Sequence, residues 1–586
     1  MSPPVHLASR RLAVVDLAGG HQPMVTEDGR LVLVFNGEIY NAGELRQELQ
    51  KRGHKFGTDH SDTEVILLGY REWGTDLVQR LNGMWAFVLY DIDRAKLFCS
   101  RDRFGKKPFF YAKTNGAFIF GSELTSLTAH PAVSRNISSR ALRKYFAYGY
   151  IPAPLSILEG VFKLPGGCSL HLDLRSLEFR IERYWDLLLD PFDNIPRKPE
   201  EEWGEQLREL LDRAVARRLV ADVPVGVFLS GGIDSSAITA FASRHVSAGK
   251  LKTFSIGFHE KTFDETQYGE LIGARFKTDH QIETLTAERA RQLLDDCLSR
   301  LDEPMGDSSL LPTYLVSGLA RRHVTVALGG DGGDELFAGY DPFLALRRAQ
   351  LYDAVFPRPL HVAIKALFDR LPVSSINMAF DFKVKRALRG LDHNRRLWLP
   401  SWMAPLSFPA LEELFSEKID IEDLYSEAIE QWENCRQDNL VDKTLQFYAK
   451  LYLQDDILVK IDRASMMHSL EVRAPFLDID VVNFVRRIPS AFKLRGSQTK
   501  YILKKALENV LPDNVLHRPK KGFGIPANTW WRTGQLQIDD PHFPMLNAEF
   551  IRKKLAAHVA GQSDEAAFLW CFHVLRKWAM AAQIIS

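Results

Sequence analysis

The sequence predicts two fold classes in succession, an α+β first third and an α/β remainder built on a parallel sheet with a helical carboxyl-terminal part. Before residue 189, short apolar runs are separated by tight turns and interrupted by two amphipathic segments, which is the pattern of a sheet with helices packed on it. From Trp203 onward apolar runs alternate with helical patterns, the rhythm of a parallel, helix-covered sheet. Two glycine-rich loops follow directly on the runs ending at Leu229 and Leu328, the strand ends where ligands bind in such sheets.

Within residues 1–188, which read as one domain, the runs Leu31–Phe35, Trp85–Tyr90, Lys96–Cys99 and Ala117–Phe120 are expected to be strands. Residues 41–52 and 63–72 carry apolar positions three and four apart and are expected to be helices. Periodicity fails over residues 189–202, where proline and charge dominate, so a linker is placed there. The second domain, 203–586, opens with helix 203–218, strand 224–229, helix 235–246, strand 253–258 and helix 265–276. One more strand and helix precede a strand at 323–328, and beyond Asp341 the chain turns mainly helical.

A chain of 586 residues exceeds one core and calls for several domains. Hydrophobic residues at 46%, charged residues at 25% and a net charge of +1 argue against nucleic acid or a membrane surface as the main partner. Lys520-Lys521 is the nearest approach to a basic patch. The five cysteines are scattered without Cys-x-x-Cys spacing, so neither a disulfide framework nor a zinc site is signalled and a reducing cytoplasm is expected. No apolar run approaches the roughly 20 residues of a membrane span, nor does the start look like a signal peptide.

Ser230, Gly231, Gly232, Ile233, Asp234, Ser235 and Ser236 follow the run Val225–Leu229. Two glycines let the backbone approach closely, the amides opening the next helix face an anion, and Asp234 suits a magnesium ion riding on phosphates. Polyphosphate chemistry with ATP follows, and no Gly-x-x-x-x-Gly-Lys-Ser/Thr pattern competes with it. The second cluster, Gly329 to Tyr340, places four glycines and three carboxylates within Gly329–Glu335, a poor choice for stability unless function requires it. One carboxylate there could hold magnesium and another could orient an amine or take its proton. The segment Asp462–Asp478 reads by itself as a helix end with ion pairs, and Lys500 as a lysine on a helix face.

Ser230–Ser236, Gly330–Tyr340, Glu471–Asp478, Lys500–Lys504 and Lys520–Pro526, in that order, resemble the glutamine-dependent asparagine synthetase family. Arg10–Leu17, His21–Met24, Phe35–Asn41, Ser61–Val65 and Arg101–Pro108 are similar to its glutaminase domain, so the resemblance covers nearly the whole chain. It implies an Ntn-type αββα glutaminase-like domain, incomplete at its amino end, joined to an ATP-pyrophosphatase-like α/β synthetase domain. In that family glutamine is hydrolysed, ammonia crosses a tunnel, and aspartate activated as an acyl adenylate is converted to asparagine with release of AMP and pyrophosphate. The resemblance assigns Leu229, Ser230, Gly231, Gly232, Asp234, Ser235, Ser236, Ile256, Gly329 and Gly330 to ATP and pyrophosphate. Asp234 and Asp334 fall to magnesium, Lys500 and Asp331 to catalysis, and Arg11, Asn36, Gly37, Glu38 and Asp62 to glutamine. A homodimer is also implied. Asp331 stands where family members carry glutamate, which keeps the charge but leaves the acceptor open.

One departure concerns the nitrogen supply. The family's nucleophile is a terminal cysteine, whereas Ser2 follows Met1 here and the family's Arg-Gly-Pro-Asp segment does not precede Arg10. Either the start has been set too late, the reading expected because the glutamine-pocket residues are kept, or the polypeptide uses free ammonia. Loss of edge strands would also lower stability. Two alternatives to aspartate amidation remain: a cousin adenylating another acid, as in β-lactam closure or glycan or peptide modification, and a non-catalytic nucleotide-binding scaffold.

Overall fold

The computed structural model describes residues 4–190, 198–258, 264–369, 380–518 and 524–584. Most of the expected linker, Lys520-Lys521 and part of the Lys520–Pro526 motif lie outside the described residues.

The first part of the chain carries strands β1 (Met24–Val25), β2 (Leu31–Ile39), β3 (Gly83–Asp91), β4 (Lys96–Arg101), β5 (Phe110–Thr114), β6 (Ala117–Gly121), β7 (Val161–Lys163), β8 (Cys168–Asp173) and β9 (Phe179–Arg183). They form a six-stranded sheet in the order β1-β2-β3-β4-β8-β9 and a three-stranded sheet β6-β5-β7, both antiparallel. The side-chain period of two sends Leu33, Phe35 and Phe87 onto the helices Ala42–Lys51 and Asp62–Trp73, through Leu45, Leu49, Val65 and Leu68. On the other face Val34, Val88, Cys99 and Leu170 meet Phe109 and Tyr111 of the smaller sheet. Beyond that sheet, Phe110 and Ala112 pack with Leu142, Tyr145 and Phe146 of the helix Ser139–Tyr148. The layers therefore run helix, sheet, sheet, helix.

The second part holds a five-stranded sheet, all parallel, in the order β12-β11-β10-β13-β14. Its strands are β10 (Val225–Phe228), β11 (Lys252–Phe258), β12 (Asp279–Leu285), β13 (Val326–Leu328) and β14 (Glu471–Arg473). Helices cover both faces, as parallel sheets require: Glu200–Arg218 and Ile233–His245 on one, Leu310–Arg321 on the other. The chain leaves β10 for β11 and β12 on one side and returns to β13 on the other, so a crevice opens between the carboxyl ends of β10 and β13.

Four expectations need correction. Two helices, Ala287–Ser299 and Leu310–Arg321, occupy the space between β12 and β13 where one was expected. The charged segment after Asp462 is not merely a helix end, because Glu471–Arg473 pairs in parallel with β13 as the sheet's fifth strand. Lys500 is not on a helix face: it precedes the helix Tyr501–Ala506 with φ +54°, and its amide donates to Phe337 O at 3.1 Å. Nor do the two parts keep separate cores, since Tyr145, Phe146 and Tyr148 pack with Phe415, Tyr425 and Phe568 from the helical end.

Candidate active sites

At the crevice between β10 and β13 the two glycine-rich loops meet. Gly231 turns with φ +71°, and Ser235 Oγ accepts from the Ser230 amide at 3.2 Å while lying 3.1 Å from Ser230 Oγ, closing the loop on itself. Ser236 Oγ is buried and makes no hydrogen bond. A Cβ on Gly330 would stand 2.9 Å from Asp234 Cβ and 3.2 Å from Ser235 N, so the glycine is what allows the second loop to press against the first. Gly329 N donates to Arg473 O at 2.8 Å, which ties this loop to β14. Leu229 N donates to Phe254 O at 2.8 Å, and Ile256 lies farther along β11, beside the same sheet edge.

Asp234, Asp334 and Lys500 converge there. Lys500 Nζ stands 2.5 Å from Asp234 Oδ2 and 2.7 Å from Asp334 Oδ1. Burial works against the ammonium, but Asp234 and then Asp334 outweigh it and raise its pKa, so Lys500 stays charged. Two carboxylates brought this close offer an all-oxygen donor pair of the kind a hard divalent cation takes alongside phosphate oxygens.

Asp331 sits one residue past Gly330. Burial raises its carboxyl against the pull of Lys106 and Lys460, and its Oδ2 is buried without a hydrogen-bond partner. Lys460 is itself held by Asp307 and Ser309, each at 2.8 Å. Arg518 pairs with Glu265 at 2.8 Å and lies over the Tyr268 ring near Gly232.

The second constellation lies in the first part of the chain. Asn36 and Glu38 share one face of β2, with Gly37 between them opposite Trp85. Asp62 opens the helix Asp62–Trp73 and accepts from the Ile39 amide at 3.1 Å. Burial lifts its carboxyl to about 6. Glu38 is raised as well, by burial first and by the charge of Asp62 second. Arg11 donates to the carbonyls of Val15 and Asp16 and is the cation contributed by this part of the chain that both carboxyls feel. Asn36 donates to Ser122 Oγ at 3.2 Å rather than to Glu38 or Asp62.

The two constellations are wired together by the segment read as a helix end. Arg473 on β14 reaches Glu38 at 3.3 Å and Glu471 at 2.7 Å. Arg463 donates to Ser122 O at 2.7 Å and pairs with Asp302 at 2.7 Å, and Lys107 pairs with Asp462 at 2.9 Å. A cavity of about 40 Å³ lies among these contacts, lined by Arg101, Phe109 and Lys163 from the first part and by Asp302, Met305 and Arg463 from the second. Lys460 and Arg518 lie outside the motifs read from the sequence, whereas Lys106 and Arg473 lie inside two of them, Arg101–Pro108 and Glu471–Asp478, without an assigned role.

Comparison with known proteins finds two family models that match the chain in succession. A family model described as asparagine synthase matches residues 206–580, and one described as a glutamine amidotransferase domain matches residues 1–185. The chain belongs to the asparagine synthetase family. It is an ATP-dependent ligase of that family with an amidotransferase domain joined to it. Glutamine-hydrolysing asparagine synthetase 1 of Bacillus subtilis is 30% identical over 97% of this chain and 88% of its own length. Asparagine synthetase 3 of the same organism is 34% identical over 88% of this chain and 79% of its own. A Mycobacterium tuberculosis protein assigned provisionally to these synthetases is 34% identical over 97% and 88%. Among the described residues no helix is long and apolar enough to cross a membrane.

Proposed function

We propose that this asparagine synthetase family member amidates the side-chain carboxylate of aspartate through an acyl adenylate. The carboxylate oxygen attacks the α-phosphorus of ATP and pyrophosphate leaves. Ammonia then adds to the acyl carbon, AMP departs, the nitrogen loses a proton, and asparagine results. The observation that carries this reading is the meeting of two glycine loops at the sheet's switch point around Lys500, Asp234 and Asp334.

In this reading the Ser230–Ser236 loop and the amides opening the next helix hold pyrophosphate, and Leu229, Ile256, Gly329 and Gly330 border the adenosine and its phosphate. Asp234 and Asp334 would hold a magnesium ion, whose bound charge would offset that of the polyphosphate. Lys500 stabilises negative charge on the phosphate and on the tetrahedral adduct, as a fixed cation in a water-poor site does best. Asp331, whose buried carboxyl is raised, accepts the proton lost by the incoming nitrogen.

Arg11, Glu38 and Asp62 suit the carboxylate and ammonium of free glutamine, with Asn36 and Gly37 as oxyanion donors. All five cysteines are buried and burial raises every thiol, so none is an activated thiolate among the described residues. In this reading ammonia is the species that reaches the acyl adenylate, and free ammonia is the donor we propose for this chain. The cavity of about 40 Å³ between the two parts has room for a few ammonia-sized molecules. Aspartate-stimulated exchange of pyrophosphate into ATP, followed by asparagine formation with ammonium or glutamine, tests the reading. Absence of that exchange would reject aspartate as acceptor, and asparagine made with glutamine would reject ammonia as the sole donor.

A further inference from the structure

The turn between β4 and β5 is built to be rigid. Asp102 accepts from the amides of Trp85, Phe104, Lys106 and Lys107 at 3.2, 3.0, 3.0 and 2.9 Å. Arg101 donates to the carbonyls of Gly105, Lys107 and Leu164 at 2.6, 2.7 and 2.7 Å. Lys107 leaves this turn to pair with Asp462 across the boundary between the two parts of the chain, at 2.9 Å. Its neighbour Lys106 makes no such pair: the residue is 5% exposed and Nζ makes no hydrogen bond. A buried ammonium without a hydrogen bond is costly, and burial lowers the Lys106 pKa against the opposing pull of Asp331.

The charge Lys106 feels most strongly is Asp331, in the loop after β13. No ion pair joins the two, and Asp331 Oδ2 is buried and unpartnered in its turn. The other lysines at this loop are occupied, Lys460 by Asp307 and Lys500 by Asp234 and Asp334. A buried Nζ without a hydrogen bond in the first part and a buried carboxylate oxygen without one in the second thus act on each other electrostatically, the latter in the loop that borders the crevice. A ligand that answers Lys106 carries an anionic group, while Asp331 is left for the nitrogen whose proton it takes.

We propose that Lys106 determines acceptor specificity: its ammonium binds the carboxylate of the acceptor that does not react, and so selects a dicarboxylic amino acid. This rests on the ligase reading above. The amidotransferase domain would thus supply part of the synthetase's substrate site, and a rigid turn suits that task, since recognition is better when the group is positioned before the ligand arrives.

The test is Lys106→Met in the full chain, with ammonium as donor, comparing aspartate with 3-aminopropanoate, which is aspartate without its α-carboxylate. Loss of a charge-assisted hydrogen bond should raise the KM for aspartate about 10- to 100-fold and leave the KM for ATP unchanged. The unaltered chain should prefer aspartate by a similar factor, and the variant should lose that preference. Its Tm should not fall, because an unpaired buried charge has been removed. The proposal is overturned if the preference survives in the variant, if the unaltered chain has none, if both acceptors lose equally, or if Tm drops. An unaltered chain with no aspartate-stimulated exchange overturns the ligase reading and this proposal together, whereas normal exchange with an indifferent variant overturns only the role of Lys106.

Discussion

Lys500 occupies a backbone conformation that few lysines adopt, with φ +54°, and keeps it because its amide is bonded to Phe337 and its ammonium to two carboxylates. Lys500→Met should lower the exchange rate about 10²- to 10³-fold, the usual loss when a fixed charge-stabilising group is removed. It should also lower Tm, since Asp234 and Asp334 lose their shared cation. Lys500→Arg should recover Tm more than rate, because the wider fork cannot reproduce both contacts. Melting curves and exchange assays separate the two effects. Asp62 gives a pH dependence with a definite sign. Its free carboxyl ionises near pH 6, so below that pH the glutamine ammonium must displace a proton in order to pair with it. Glutamine affinity, measured by calorimetry, should rise about tenfold per unit as pH climbs toward 6 and level off above. Asp62→Asn should bind weakly at every pH and flatten the profile. Residues such as Ser230, Asp234 and Asp334 were legible because glycines around them marked a place where backbone must approach a ligand. Lys106 and Arg473 stood inside recognised motifs, but their roles were not legible, because a single charge carries no sign of which distant element it will meet.

Among the elements, the loops after β10 and β13 depend on a spacing that one methyl group would break. Gly330→Ala would set a Cβ 2.9 Å from that of Asp234, forcing the two loops apart where both must close on ATP. Misplacement by about 1 Å costs on the order of 10²-fold in rate, so exchange should fall by that factor while far-UV circular dichroism is unchanged. Unaltered exchange would mean the loops separate without consequence. The helices at 42–51 and 62–73 and strands β2, β3 and β11 could be read from periodicity because each is long enough to repeat its pattern. β14 could not, since three residues between a helix and a Pro turn hold no period, and only its pairing with β13 makes it a strand. Lys500 was misplaced for a related reason: the helix after it is short, and sequence does not show which residue begins it.

Across the whole molecule, Arg473 serves both halves with different atoms. Its carbonyl accepts from Gly329 and so fixes the synthetase loop, while its guanidinium binds Glu38 of the amidotransferase domain, Glu471, and the carbonyls of Arg218 and Val220. Backbone and side chain can therefore be separated by mutation. Arg473→Met keeps the carbonyl but leaves Glu38 and Glu471 buried without their cation, a change that costs about 3–5 kcal/mol for pairs of this kind. Glu38→Gln should cost less, since that carboxyl is already pushed toward its neutral form by burial. If Glu38 and Arg473 act as one unit, the double variant should be more stable than the sum of the single losses predicts, by about 0.5–3 kcal/mol in chemical denaturation. The double variant should also carry out ammonium-driven exchange at close to the unaltered rate, because Gly329 still has its acceptor. Its glutamine affinity should fall, since Glu38 no longer presents an ionisable carboxylate. Strict additivity in the cycle would show that the contact between the halves is incidental, and the charge on Glu38 would then serve its own pocket alone.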